Sequence, residues 1–247
     1  MEFSPAFRQD LPPLLKELTG RGEGTPQGGP LSPLLANVLL DDVDKELERR
    51  GHRFARYADD CNVYVRSRRA GERVLHSLRR LYAKLYLKVN ESKTAVGSAF
   101  GRKFLGYCFR RWSSNTFKIA VAPKALDAFK QRIKEITCRV GGRSLTQVAE
   151  QLGLYLPGWK SYFLLAQTPK TFKGLDSWIR HRLRAVQLKH WRRGPTIYRG
   201  LRSLGAPHEL AALVAGGGNR WWHHSQSGLN KVLTVAYFDS LGVPRLS

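Results

Sequence analysis

Arg56-Tyr57-Ala58-Asp59-Asp60-Cys61 is the stretch on which the reading of this chain turns. Two adjacent carboxylates stand between two short alternating runs, Phe54 to Tyr57 and Asn62 to Val65, and a period of two is the pattern of strands. Successive side chains of a strand point to opposite faces, so a turn at the acids is what could aim both at one place. Paired acids at a hairpin tip suit a divalent cation: Mg²⁺ takes oxygen ligands and often keeps one or two carboxylates plus substrate phosphates. For the Asp-Asp pair taken alone, a turn whose side chains bond local backbone is the competing reading.

Outward from this segment, charge narrows the choice. Lys and Arg total 42 against 19 Asp and Glu, a net +23 over 247 residues. The excess is uneven: −3 over residues 1–50, then +7, +8 and +9 in the next three fifties, and +2 over the last 47. Self-repulsion of this size destabilises a compact chain unless a polyanion neutralises it, which points to nucleic acid bound mostly between residues 51 and 200. With 42% hydrophobic residues the chain can still bury a core, so a disordered basic tail is excluded. Cys61, Cys108 and Cys138 are odd in number and far apart, which argues against a disulfide scaffold or zinc ribbon and fits a reducing cytoplasm. No apolar run approaches the ~18 residues of a membrane span, and the N-terminus lacks a signal-peptide pattern. The expectation is a soluble, cytoplasmic protein without a membrane partner.

Periodicity changes near residue 120, predicting an α+β fold. Before that point, helical spacing at Leu34 to Leu47 and Val74 to Leu85 accompanies the strand-like runs and an aromatic run, Phe104 to Phe109, read as a strand. After it, Pro123 opens a helix with Leu126, Phe129, Ile133 and Ile136 on one face. Ser144 and Gln147 form a capping-box signature. Pro157 is read as preceding a third helix with Trp159, Tyr162 and Phe163, and a long fourth carries Leu175, Trp178, Ile179, Leu183 and Val186. The second unit reads as all-α, with the aromatics as core. The other helix faces are cationic: Lys124, Lys130 and Lys134, then Arg180, Arg182, Arg184, Lys189, Arg192 and Arg193. These are candidate phosphate contacts, since Arg forks match phosphate oxygens bidentately. At 3.6 residues per turn Arg180 and Arg184 share a face that Arg182 does not, so that pair is the preferred choice. Trp221-Trp222-His223-His224 invites a metal reading, but no Cys or carboxylate cluster accompanies it at ligand spacing.

The order of further segments is more specific than any of these features. Gly24-Thr25-Pro26-Gln27-Gly28-Gly29-Pro30-Leu31-Ser32-Pro33-Leu34-Leu35-Ala36-Asn37 lies upstream of the Asp pair. Downstream come Leu87-Lys88-Val89-Asn90-Glu91-Ser92-Lys93-Thr94 and Lys103-Phe104-Leu105-Gly106-Tyr107. This ordered set resembles the reverse transcriptases encoded by group II introns. Gly158-Trp159-Lys160-Ser161-Tyr162-Phe163, Leu175-Asp176-Ser177-Trp178-Ile179-Arg180 and Leu241-Gly242-Val243-Pro244 look like that family's thumb and maturase region.

The resemblance implies residues 1–23 as a non-matching leader, 24–119 as a partial reverse-transcriptase palm, and 120–247 as the thumb and maturase helices. It implies RNA-directed DNA synthesis, with Asp59 and Asp60 as catalytic Mg²⁺ ligands and Lys93 as the group that protonates departing pyrophosphate. Gln27 and Gly28 would contact the incoming deoxynucleotide, and Phe104, Leu105, Gly106 and Tyr107 would grip the primer end. The implied partners are group II intron RNA and an RNA template with its DNA primer. The family also has an N-terminal stretch with the fingers, the first palm half and an aspartate that completes the metal site. None of Glu2, Asp10, Glu17 or Glu23 lies in such a motif. The expectation is therefore a truncated product, or one half of a split protein whose N-terminal half is a separate partner, inactive as a polymerase alone. A non-catalytic RNA-binding splicing cofactor that uses only the helical region is the alternative.

Overall fold

The computed structural model describes residues 32–113, 116–218, 220–226 and 228–247. The chain divides into two compact units, Met1–Ala99 and Phe100–Ser247.

In the first unit, helix α1 (Ser32–Arg49) leads into an antiparallel hairpin, β1 (Arg53–Tyr57) and β2 (Asp60–Tyr64), followed by helix α2 (Arg68–Lys84). Leu40, Val43 and Leu47 recur at helical spacing on α1 and are buried with Leu87. Phe54, Cys61 and Val63 of the hairpin and Leu78, Leu81 and Tyr82 of α2 pack against them. The pairing Phe54↔Val63 and Arg56↔Cys61 explains which hairpin face is covered, because partners in an antiparallel ladder share a face. The Ser67 hydroxyl accepts from the Ala70 amide at 3.2 Å to start α2. Gly71 is buried where an added Cβ would stand 2.6 Å from Val96, so the backbone approaches closely there.

The second unit opens with a three-stranded antiparallel meander: β3 (Lys103–Phe104), β4 (Tyr107–Arg111) and β5 (Phe117–Val121). The expected single strand over Phe104 to Phe109 is instead broken by a tight turn, with Leu105 at φ 50° and Gly106 at φ 77°. Two central residues at positive φ match the hairpin turn whose twist suits its strands, and Gly106 makes it accessible. Helices α3 (Pro123–Ile136), α4 (Leu145–Tyr162), α5 (Pro169–Trp191), α6 (Gly194–Ser203), α7 (His208–Gly216), α8 (Trp221–His224) and α9 (Val235–Ser240) follow. Pro123 stands in the first turn of α3, and both bonds of the Ser144–Gln147 capping box form at α4.

Pro157 lies inside α4 rather than before a new helix. A mid-helix proline forfeits one backbone bond at a cost of ~3 kcal/mol. The buried face persists on both sides of it: Val148, Ala149, Leu152 and Leu156 before, Phe163 after, with Trp159 partly buried against the same core. Continuous burial outweighs the local penalty. That face meets Phe129, Ile133 and Ile136 of α3, Leu175, Ile179 and Leu183 of α5, and Phe238, Val243 and Leu246 near the chain end. A second cluster joins Leu188 of α5 to Ile197, Leu201, Ala211 and Val214. Because α5 feeds both clusters, every residue from Leu183 to Leu188 is buried.

The sheet also explains why this unit begins at 100 rather than near 120, where the periodicity changes. Val121 enters the helical core, and the Gln167 amide donates to Ile119 O at 2.7 Å. Strands whose inner face is covered by helices of the same unit are compact with those helices. No described helix is long and apolar enough to cross a membrane. Replacing Leu152 with Ala should lower unfolding free energy by about 2–5 kcal/mol in urea melts followed by circular dichroism, whereas Pro157→Ala should cause no loss.

Candidate nucleic-acid interface

The Asp59–Asp60 hairpin is built as its alternation requires. Tyr57 pairs with Asp60, leaving Ala58 and Asp59 as a two-residue turn, with Ala58 at φ 52°. Both acids are exposed. Arg56 sits on the covered face with Cys61, and from there Nε donates to the Asp44 oxygens of α1 at 2.9 and 2.8 Å. Its Nη1 donates to Asn37 Oδ1 at 2.8 Å and to Ala58 O at 3.1 Å. One guanidinium thus ties the turn to α1, and its bonds to Asp44 raise its own pKa.

This arrangement spends Arg56 on Asp44. Among the described residues, no side-chain hydrogen bond or ion pair neutralises Asp59 or Asp60 (cf. the ten ion pairs formed elsewhere). Two exposed oxygen donors left uncompensated in a chain of net charge +23 fit a hard divalent cation. No group of three or more His, Cys, Asp or Glu able to hold a metal occurs among the described residues. Beneath the hairpin, burial raises the Cys61 thiol to about 11 and the Tyr82 phenol to about 12, with the Asp44 charge adding to both. Cys61 is therefore a protonated packing residue, and all three cysteines are free.

Lys93 is exposed in a turn held by Asn90, whose carbonyl accepts the Lys93 amide at 3.1 Å and whose side-chain oxygen accepts from Ser92 at 2.7 Å. No hydrogen bond or ion pair links Lys93 to the hairpin among the described residues. Gln27 and Gly28 lie outside the described residues. Phe104 to Tyr107 form the β3–β4 turn, which is anchored from both sides. The Tyr162 hydroxyl donates to Leu105 O at 3.1 Å, the Tyr107 hydroxyl donates to Tyr162 O, and the Ala122 amide donates to Gly106 O at 2.8 Å. A Cβ on Gly106 would stand 3.1 Å from the Phe163 ring.

The helical cations separate into two kinds. Lys124, Lys130 and Lys134 are exposed on α3, and Arg192 and Arg193 are exposed after α5. Lys189 is half-buried, with its ammonium 4.3 Å from the Trp221 ring centre. Arg180 and Arg184, the preferred phosphate contacts, are instead only 2% and 9% exposed. Arg180 reaches Asp176 Oδ1 and Asp239 Oδ1, each at 3.3 Å, and Pro244 O at 3.4 Å. Arg184 Nε donates to Leu233 O at 2.9 Å. Both belong to the folded interior, because residues 229–247 cover the α5 face that looks free in the isolated helix. Arg182 is half-buried and closes the end of α3 through Thr137 Oγ1 at 2.6 Å and the carbonyls of Lys134 and Thr137, each at 3.4 Å.

Sequence reasoning also missed Asp176. It is buried, and its oxygens accept the amides of Leu246 at 3.0 Å and Ser247 at 2.9 Å. Its signal was present: Asp176 is the one acid between residues 151 and 200, and Arg180 stands one turn later. Arg56 could have been suspected from period two, which puts it on the same face as Phe54. Trp221–His224 forms the short α8, with His224 buried and neither ring nitrogen bonded to a described partner.

A basic chain with an acid-tipped hairpin and exposed helical lysines belongs to the class of polynucleotide-handling proteins. Residues 17–109 match the reverse transcriptase (RNA-dependent DNA polymerase) family model, and residues 126–205 match the group II intron maturase-specific domain. The first match begins inside the stretch 1–23 read as a leader. In this order the two matches place the chain in the group II intron reverse transcriptase/maturase family. No curated protein is similar enough to the chain to count as a match.

Replacing Arg180 and Arg184 together with Gln should destabilise the fold by about 3 kcal/mol or more in urea melts, because buried charges lose their partners. Lys124→Gln with Lys130→Gln should leave stability within about 0.5 kcal/mol per site. That second pair should instead lower the slope of log affinity for RNA against log salt, by about 0.7–0.9 per lost phosphate contact. Acid sensitivity gives a separate check on the interior. The Arg245 hydrogen bonds, and then Arg180, hold the Asp239 carboxyl below its ordinary 3.8. A depressed carboxyl stabilises the fold above its unfolded value and loses that contribution as pH falls through the folded value. Asp239→Asn should therefore be less stable than the parent at neutral pH, with the difference shrinking below about pH 4 in melts across the acid range.

Proposed function

We propose that this chain binds group II intron RNA as a maturase and contributes Asp59 and Asp60 to an RNA-directed DNA polymerase site. The observation that carries the second part is the hairpin: Arg56 is diverted to Asp44, and both tip carboxylates remain free of side-chain partners among the described residues. In this reading residues 24–119 serve as part of the polymerase palm and residues 120–247 as thumb and maturase helices. The tandem family matches support that order.

Asp59 and Asp60 would hold Mg²⁺, which supplies charge stabilisation for the entering and leaving oxygens of an in-line phosphoryl displacement. The chain's own residues supply placement. The Arg56 clamp fixes the turn, so the carboxylates need little reorganisation to receive a cation. Lys93, an exposed ammonium on an Asn90-braced turn, would neutralise or protonate a departing pyrophosphate. Gln27 and Gly28 would face the incoming deoxynucleotide, and the braced Phe104–Tyr107 turn would hold the primer end. Lys124, Lys130, Lys189, Arg192 and Arg193 would neutralise intron phosphates, each releasing counterions.

The lack of a three-acid cluster among the described residues favours a second reading. In it the chain is a non-catalytic splicing cofactor that binds RNA through the helical unit alone, whereas under the first reading a separately supplied N-terminal half would add a further carboxylate to the site. The two readings separate in one experiment. Purified chain, with Mg²⁺, deoxynucleotides and a primed RNA template, should show no extension alone and extension once the N-terminal half is added, abolished by Asp59→Asn. Extension by the chain alone would remove the split reading. No extension in either case, with intron RNA bound at least tenfold more tightly than unrelated RNA of equal length, would leave the cofactor.

A further inference from the structure

From Ser92 to Leu126 the chain has no acidic residue, yet it carries Lys93, Arg102, Lys103, Arg110, Arg111, Lys118 and Lys124. Part of this stretch is the β4–β5 ribbon. Its end near Tyr107 is tied to α4, whereas its other end displays aromatic rings that the core does not use. Trp112 is 66% exposed, Phe117 58% and Phe100 41%.

The rings are ordered by their neighbours. Arg111 pairs with Phe117 across the ladder, and Arg110 pairs with Lys118. Partners share a face, so the ribbon shows Phe117 with Arg111 on one side and Arg110 with Lys118 on the other. The Lys118 ammonium lies 3.3 Å from the Trp112 ring centre, and the Arg111 guanidinium lies 5.2 Å from that of Phe100. Phe109 meets Phe117 edge to face at 5.3 Å, which fixes the Phe117 ring. The Trp112 amide donates to Thr116 O at 2.9 Å, so the ladder persists to the end of the ribbon.

Exposed aromatic rings beside cations, with no acid nearby in sequence, have the chemistry of a stacking platform for unpaired bases: rings take base faces while cations meet phosphates. A duplex, whose bases are already stacked, cannot use the rings. We propose that the free end of the β4–β5 ribbon is a binding site for single-stranded RNA that wraps over the ribbon end, stacking bases on Phe117 beside Arg111 on one face and on Trp112 beside Arg110 and Lys118 on the other. The choice of RNA rests on the intron-binding reading above; the platform adds to it a site for unpaired intron segments, separate from the α3 lysines.

The test measures binding of the full chain to a fluorescent 12-nucleotide unpaired RNA, to the same sequence as a duplex, and to the same sequence as single-stranded DNA. The variant Trp112→Ala/Phe117→Ala should lose about tenfold or more in affinity for unpaired RNA and under twofold for duplex, with an unchanged salt slope because no charge is removed. Arg111→Gln/Lys118→Gln should lower that slope. Trp112→Phe/Phe117→Tyr should retain most of the binding. Equal losses for unpaired and duplex RNA, or no loss, overturn the platform. So does a wild-type dimer that the alanine variant dissociates in sedimentation, since the rings would then pack on a second copy. Stronger stacking of DNA than of RNA overturns the assignment to RNA. Should the alanine variant unfold, photocrosslinking of a 5-iodouridine RNA to the parent chain decides: the tryptic peptide Trp112–Lys118 must carry the adduct. Failure of the intron reading would appear separately, as equal affinity of the parent for intron and unrelated RNA.

Discussion

Asp176 is a buried carboxylate in the middle of a strongly basic chain, and the closure of the helical unit runs through it. It faces Arg180 one turn later on α5 and accepts the backbone amides of Leu246 and Ser247. Asp239 meets the same guanidinium from α9 and is itself held by Arg245. A buried pair is weak evidence of net stabilisation, since desolvation offsets the attraction. What this one supplies is position: the last residues must return along α5 if both charges are to be satisfied. Val243 and Leu246 then enter the core beside Ile179 and Leu183.

The same logic sorts the positive charge. A guanidinium has five donors in a fixed fork, so it can satisfy several carbonyls or a carboxylate at once. Arg182 closes α3, Arg143 donates to Ile136 O and Gln151, Arg184 reaches Leu233 O and Arg202 reaches Ala206 O. These arginines act as internal fasteners where chain ends need donors. Lys124, Lys130 and Lys134, with compact and strongly hydrated ammonium groups, stay outside. Net charge identified a polyanion partner correctly in kind, but a count of arginines could not show which of them face it.

In the first unit the constraint is local. Arg56 shares the covered face of the hairpin with Phe54, Cys61 and Val63, so its guanidinium must find partners under the sheet, and Asp44 and Asn37 provide them. The tip acids, Asp59 in the turn and Asp60 one position out of phase with Cys61, stay in water. The bridged arginine leaves both tip carboxylates without side-chain partners among the described residues.

Much of this was legible in the sequence, because the deciding signals are short-range. Period two around Asp59 and Asp60 specified the hairpin, period 3.6 specified α1, α2, α3 and α5, and proline and the capping box specified where α3 and α4 begin. The ordered motifs specified the family that the two model matches support. Tertiary structure decided three further matters. Pro157 stays helical because burial continues on both sides of it. Phe104 to Phe109 turns back on itself at Leu105 and Gly106, both at positive φ and braced by the Tyr162 hydroxyl and the Ala122 amide. Arg180 and Arg184 are interior because residues far along the chain fold back over a helix face that, judged by its own periodicity, looked like the surface.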